Sequence, residues 1–334
     1  MTKVYDFSVN TNLLGIPDNV IKYVSEGLEK CASYPDPECS RLRQLLAEKY
    51  MLPQSFFLCG NGADDLFYRL VFAMRPSKAL IVEPTFEEYE KALRLVGCSV
   101  EHFCLTEECG FEFQNNLLET ISKDLDLVII CNPNNPTGTV CEIELLKEIL
   151  NKCQRFDIKV AVDECFMEFL PDWKKHSAKF LTRLYDNLIV IDAFTKTYSL
   201  AGFRLGFCVS YNQKFLNSIA GFGQSYGVSV PAQLAGESSI LNKDYILASH
   251  SIITVERSFL EKELSAMQVK VYSSKTNFIL FYCDDERLAL KLEEKNIILR
   301  DCSGFYSLNS LYHRIAVSAH DKNMYLVKTL NEIL

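Results

Sequence analysis

No run in this chain approaches the roughly 20 consecutive apolar residues that a membrane-spanning helix needs. The opening Met1-Thr2-Lys3-Val4-Tyr5-Asp6 also lacks the apolar centre of an export signal. A clustered basic face is missing too: 35 Lys and Arg stand against 43 Asp and Glu, a net charge of −8, which argues against a nucleic-acid surface. None of the 13 cysteines forms a C-x-x-C pair, and the five histidines form no H-E-x-x-H or other ligand pattern, so no metal or redox centre is expected. Cysteines set in apolar runs, such as Cys131, Cys208 and Cys283, read as reduced, buried, small hydrophobes. Internal repeats, low-complexity segments and a G-x-x-x-x-G-K-[ST] loop are likewise absent. The expectation left standing is a soluble, cytoplasmic protein with neither a membrane nor a nucleic acid as partner.

What is present is a large interior. At 334 residues and 48% hydrophobic, the chain suits two domains, or one large α/β domain with an appendage. From about residue 60 to 230, short apolar runs alternate with amphipathic stretches. Lys78-Ala79-Leu80-Ile81-Val82-Glu83, Leu127 to Cys131, Lys159 to Val162 and Leu188 to Ile191 are continuous and rich in β-branched residues, as strands covered on both faces are. Phe86 to Val96, Glu142 to Cys153 and Tyr211 to Gly221 carry helical spacing. The alternation predicts a mainly parallel sheet with helices on both sides, and ligands in such sheets bind at the carboxyl ends of strands. After Pro231 a long helical stretch to about Met267 is expected. It is followed by strands at Asn277 to Cys283, Asn296 to Cys302 and Arg314 to Ser318, with helices around 285–295 and 321–334. The predicted organisation is a large domain over 31–235 and a smaller α+β domain over 236–334, with residues 1–30 packing on the smaller one or at a subunit contact.

The residues that carry chemistry cluster after the predicted strands. Thr195-Lys196-Thr197 closes the run Leu188 to Ile191, and Arg204 follows eight residues after the lysine. A lysine held among apolar neighbours tends to lose its proton and become a nucleophile toward aldehydes. An amine for an aldehyde and a guanidinium for a phosphate are what pyridoxal 5'-phosphate requires. A strand-end lysine that snorkels to water beside a surface arginine is the competing reading. Gly60-Asn61-Gly62-Ala63-Asp64-Asp65 opens a helix to about Met74, where free N–H groups suit an anion, although an ordinary loop entering a helix has the same appearance. Asn132-Pro133-Asn134-Asn135-Pro136-Thr137-Gly138 makes a rigid turn after Cys131. Val162-Asp163-Glu164 ends a strand with a carboxylate that needs a partner, either a protonated pyridine nitrogen or a helix start. The elements run in the order glycine loop, aromatic, asparagine turn, aspartate, lysine, arginine, each expected after a different strand of one sheet.

In that order and with those motifs, the chain resembles the fold-type I pyridoxal-phosphate enzymes of the class I/II aminotransferase superfamily. It resembles in particular the histidinol-phosphate aminotransferase branch, which includes threonine-phosphate decarboxylase. The similarity runs from Asp6-Phe7-Ser8-Val9-Asn10 to the C-terminal helix. It implies a seven-stranded, mostly parallel sheet sandwiched by helices, plus the smaller α+β domain. It implies pyridoxal 5'-phosphate as cofactor, with Lys196 as the Schiff-base and proton-shuttling lysine, Asp163 on the pyridinium nitrogen and Asn135 on the ring 3'-oxygen. Phe86 would stack on the ring, and Arg204, Gly62, Ala63, Asp64 and Thr195 would hold the phosphate. Tyr34 would reach the phosphate of a neighbouring subunit's cofactor, which makes the enzyme a homodimer. Arg300 and Arg314 match the family's substrate arginines, suited to a carboxylate or phosphate, with Asn10 beside them.

Three positions depart from the resemblance. Phe166 replaces the tyrosine usual three residues after the aspartate, Ala193 stands where many relatives carry a phosphate-binding hydroxyl, and Leu13 replaces a proline. Amino transfer between an amino acid and a small phosphorylated carbonyl compound is the reaction expected first. Decarboxylation of L-threonine O-3-phosphate or a similar phosphoamino acid is the alternative, and the substrate pose set by Arg300 and Arg314 decides between them.

Overall fold

The computed structural model describes residues 4–334. In chain order its strands are β1 (Tyr5–Asp6), β2 (Phe57–Gly60), β3 (Lys78–Glu83), β4 (Ser99–Cys104), β5 (Leu127–Cys131), β6 (Lys159–Asp163) and β7 (Leu188–Ala193). They continue with β8 (Gly206–Val209), β9 (Lys270–Val271), β10 (Phe278–Tyr282), β11 (Ile297–Ile298), β12 (Arg300–Asp301) and β13 (Tyr312–Ala316). The seven strands β2 to β8 form one sheet in the order β2-β8-β7-β6-β5-β3-β4. Neighbours from β4 through to β7 are parallel, and β8 alone runs against its two neighbours.

The alternation of side chains explains why the central strands are apolar at every position. Along β5, Val128 and Ile130 join one core while Leu127, Ile129 and Cys131 join the other; β7 divides in the same way, with Leu188 and Val190 against Ile189 and Ile191. The helix Ile143–Arg155 covers the first face with Leu146, Ile149, Leu150 and Cys153. The helices Ala63–Met74 and Glu88–Leu95 cover the second with Leu66, Leu70, Ala92 and Leu93. Each such buried aliphatic contributes about 1.5–3 kcal/mol, so the strand ends are anchored in the most tightly held part of the molecule. Strands β2 and β8 are apolar but only four residues long, and each includes a glycine. Strand β4, at the sheet edge, reads Ser-Val-Glu-His-Phe-Cys and is only partly covered.

A second, antiparallel sheet has the order β12-β13-β10-β9 and packs against the helix His320–Ile333 through Ile279, Phe281, Ile315, Leu326 and Leu330. The start of the described chain is tied to this part: β1 pairs with β11, and the Phe7 carbonyl accepts from the Ala316 N–H at 2.8 Å. The segment expected as one strand from 296 to 302 is therefore two short strands in different sheets, β11 beside β1 and β12 beside β13. The helical stretch after Pro231 also divides. Asn242 breaks it at ψ 76° and caps the second helix by accepting from the Tyr245 N–H. The first of the two helices, Val230–Leu241, spans the 235/236 boundary and packs on both sides of it in one core, through Ala232, Leu234, Ala235 and Ile240. Among the described residues no helix is long and apolar enough to cross a membrane.

Candidate active site

Because β3, β5, β6 and β7 are parallel, their carboxyl ends open on one edge, and the chain leaves that edge with Phe86, the Asn132 to Gly138 turn, Asp163 and Lys196. Around them lies a cavity of about 150 Å³ lined by Ala63, Asp64, Phe86, Asn135, Asp163, Thr195, Lys196 and Arg204, together with Tyr89 and Phe166. Arg204 arrives differently from the sequence expectation. It does not follow a strand of its own but precedes β8, inside the β7–β8 connection that also holds Lys196. The antiparallel run of β8 starts at the same sheet edge where β7 ends, so one connection delivers both amine and guanidinium.

Lys196 is half-buried in the single helical turn Phe194–Thr197. Its Nζ donates to Asn10 Oδ1 at 2.9 Å and stands 5.5 Å from the centre of the Phe166 ring. Burial, reinforced by the positive charge of Arg314, draws its pKa down to about 8. A snorkelling surface lysine would show neither feature. Asn10 is itself buried, and its Nδ2 finds no hydrogen-bond acceptor among the described residues.

Asp163 sits one strand away and is 6% exposed. Its Oδ1 accepts from the Cys165 N–H at 2.9 Å and its Oδ2 from the Tyr89 hydroxyl at 2.5 Å. No cation pairs with it among the described residues, and burial raises its pKa. Tyr89 was not singled out by the sequence. It is buried, packs edge-on to Phe86 at 5.9 Å, and its position three residues after Phe86 was the signal available.

The phosphate-type features also converge. Gly62 has φ +93°, and a Cβ there would stand 2.8 Å from the Arg204 guanidinium, so only glycine lets the arginine lie against the start of the helix Ala63–Met74. A Cβ on Gly206 would meet the Ala63 nitrogen at 2.7 Å. Arg204 is tethered only loosely, at 3.3 Å to Asp64. A buried carboxylate short of a cation, an amine near neutrality, an aromatic wall and an arginine on a helix start suit pyridoxal phosphate group by group.

Arg314 is 5% exposed on β13. It donates to Asn135 Oδ1 and, at 2.6 Å, to the Ser8 carbonyl, while its Nε has no partner among the described residues. Burial lowers its pKa to about 10. Asn135 therefore already has its oxygen engaged. Arg300 lies directly opposite Arg314 across the β12–β13 pair but is exposed, with its guanidinium over the Phe305 ring. Tyr34 is not brought to this cavity: it is 81% exposed and stacks on Tyr226 at 4.7 Å.

Beneath the site lies a buried ionic network that the sequence did not disclose, because its members are scattered along the chain. Lys179, fully buried, lies 2.7 Å from both Glu164 and Asp192, the residues beside Asp163 and Ala193. Glu168 accepts from Tyr50 at 2.6 Å and from Lys49 at 2.7 Å. Elsewhere the fold draws His102, Glu83 and Glu90 together, with ligand atoms within 4.8 Å, but Glu90 is already held by Arg94 at 2.6 Å.

The sequence pattern described as aminotransferase class I and II matches residues 2–330. The chain belongs to that family. It is 31% identical over 337 residues to a threonine-phosphate decarboxylase of Salmonella typhimurium, covering 99% of this chain and 92% of that one. A histidinol-phosphate aminotransferase of Thermoanaerobacter sp. is 30% identical, with 99% and 93% covered. Among solved structures, the histidinol-phosphate aminotransferase of Clostridium acetobutylicum superposes with a TM-score of 0.93 at 27% identity over 99% of both chains. The family is one of pyridoxal-phosphate enzymes, and the seven-stranded α/β architecture expected from the resemblance is the one found.

Proposed function

We propose that this chain is a pyridoxal-phosphate-dependent aminotransferase that moves an amino group between an amino acid and a small, phosphorylated carbonyl compound. One observation carries the reading: the ends of adjacent strands β6 and β7 present to one cavity a buried carboxylate without a cation and an amine with a pKa of about 8. Pyridoxal phosphate, when bound, supplies an aldehyde for amines and a ring that takes up the electrons of a bond broken at the substrate's α-carbon. Lys196 would supply the amine that holds the aldehyde and would be the base that takes and returns the substrate's α-proton. Asp163 would balance positive charge at the ring nitrogen, Phe86 would stack on the ring, Asn135 would donate to the ring 3'-oxygen and Thr195 would help to hold the phosphate. Arg204 and the N–H groups at Gly62, Ala63 and Asp64 hold the phosphate. Arg314, with Arg300 opposite it on β12 and Asn10 beside Lys196, would orient the substrate anion.

A second reading, decarboxylation of L-threonine O-3-phosphate or a similar phosphoamino acid, is favoured by Phe166 at the position of the usual tyrosine and by the likeness to the Salmonella protein. We further infer a cytoplasmic homodimer, with the exposed Tyr34 reaching a partner's cavity. The test is a panel of amino acids and phosphoamino acids given to the cofactor-loaded protein, scored for keto-acid and for carbon dioxide. Keto-acid with glutamate as donor supports amino transfer, and carbon dioxide from L-threonine O-3-phosphate supports the second reading. Absence of both products, or of a borohydride-reducible adduct at Lys196, overturns the assignment.

A further inference from the structure

Between β4 and the asparagine turn, the segment Glu107 to Phe111 touches two things that the candidate site needs held together. The Glu107 carboxylate accepts from Lys270 Nζ at 2.7 Å, from the Tyr272 hydroxyl at 2.7 Å and from the Tyr312 hydroxyl at 2.8 Å. Lys270 and Tyr312 lie on β9 and β13 and Tyr272 follows β9, so all three donors come from the smaller sheet or its margin. These hydrogen bonds, the one from Lys270 foremost, hold Glu107 ionised down to about pH 2. Tyr312 stands two residues before Arg314 on β13, on the same face of the strand.

Phe111, at the other end of the segment, packs edge-on to Tyr272 at 4.9 Å and to Tyr312 at 6.0 Å. Its carbonyl accepts from Thr139 Oγ1 at 2.9 Å. That hydroxyl is 2.7 Å from Thr137 Oγ1, which in turn accepts from Asn134 Nδ2 at 3.0 Å, one residue before Asn135. One short segment thus grips β13 on one side and the asparagine turn on the other, and between them stands the hydrogen bond from Arg314 to Asn135. The guanidinium itself is held by two hydrogen bonds, to Asn135 and to the Ser8 carbonyl, so where it sits depends on how β13 and the asparagine turn are placed relative to one another.

We propose that the segment Glu107 to Phe111 is a clasp between the two sheets, and that Glu107 is a positioning residue that sets Arg314 against Asn135 for the substrate's anionic group. This rests on the reading of Arg314 as the substrate arginine. A clasp that served stability alone would leave anion affinity unchanged in a folded variant.

The test compares wild type, Glu107→Gln, Tyr312→Phe, Arg314→Gln and the double variant Glu107→Gln/Arg314→Gln. Dissociation constants for L-glutamate and L-threonine O-3-phosphate are read from the visible absorbance of the cofactor-loaded proteins, and hydrogen exchange of the β13 amides from the cofactor-free ones. Glu107→Gln and Tyr312→Phe are expected to weaken binding about tenfold, the scale of one charged hydrogen bond, and to speed exchange at β13. Arg314→Gln is expected to cost about a hundredfold, and the double variant no more than Arg314→Gln alone. Folded Glu107 and Tyr312 variants that bind as wild type, or a Glu107 effect added in full to that of Arg314→Gln, overturn the clasp alone. An Arg314→Gln protein that binds as wild type, or a wild type that binds neither compound, overturns the substrate reading and the clasp with it.

Discussion

Asp163→Asn should make the cofactor-free protein more stable while it weakens the cofactor's hold. In the folded chain the carboxylate is 6% exposed, with two hydrogen-bond donors and no cation. Asparagine keeps the shape. Its oxygen can accept from the Cys165 N–H and its amide can donate to the Tyr89 oxygen, since a hydroxyl serves in either role. What disappears is a buried charge without a counter-ion, and a group left uncompensated in this way costs about 1–3 kcal/mol. Burial raises the pKa of Asp163 in the folded chain, so folding takes up a proton and stability falls as pH rises through the interval between the unfolded and folded values. The gain from Asp163→Asn should therefore be full near pH 8, as a rise of about 1–4 °C in the melting temperature of the cofactor-free protein, and should vanish in acid where wild-type Asp163 is protonated. Pyridoxal-phosphate affinity should move the other way and weaken about tenfold or more, because the neutral amide cannot balance a pyridinium. A variant less stable than wild type at pH 8 without cofactor would refute the reasoning, since it would mean that the carboxylate already has a compensating partner in the folded chain.

Lys196, with its pKa drawn down to about 8, should become covalently attached to added pyridoxal phosphate at a rate that climbs through pH 8 and levels above it. Borohydride trapping against pH measures this, and an inflection at the ordinary lysine value of 10.5 would contradict the burial argument. Gly62→Ala places a Cβ 2.8 Å from the Arg204 guanidinium at φ +93°, so a loss of about 1–2 kcal/mol in stability and weaker phosphate retention are expected from denaturant melts and cofactor titration. Lys179→Met leaves Glu164 and Asp192 buried without their cation and should cost about 3–5 kcal/mol near neutral pH. The deficit should shrink in urea melts at lower pH, because burial raises the pKa of Asp192 and its protonation removes a stranded charge, and a pH-independent deficit would count against the ionic account.

Much of the architecture was legible because the central strands are buried on both faces and must be apolar at every position; β3, β5, β6 and β7 announced themselves in this way. The edge strand β4 did not, since its partial cover tolerates polar residues, and β2 and β8 did not, since four residues leave too little pattern. Lys196, Asp163, Phe86, Asn135 and Arg204 could be picked out because each lies at a strand end, just beyond one or in a strand connection, where the residue type is chosen by chemistry more than by packing.

The order of apolar runs and the residue types at their ends were enough, by themselves, to mark the parallel centre of the sheet, the family and several of the residues that line the cavity, Phe86, Asn135, Asp163, Lys196 and Arg204 among them. Packing alone decided that Tyr89 meets Asp163, that Lys179 joins Glu164 to Asp192, that Arg204 shares a connection with Lys196 and that Glu107 ties the segment after β4 to the smaller sheet. The reason is physical: periodicity along the chain reports which way a side chain faces, whereas hydrogen bonds and ion pairs between distant segments depend on where those segments come to rest.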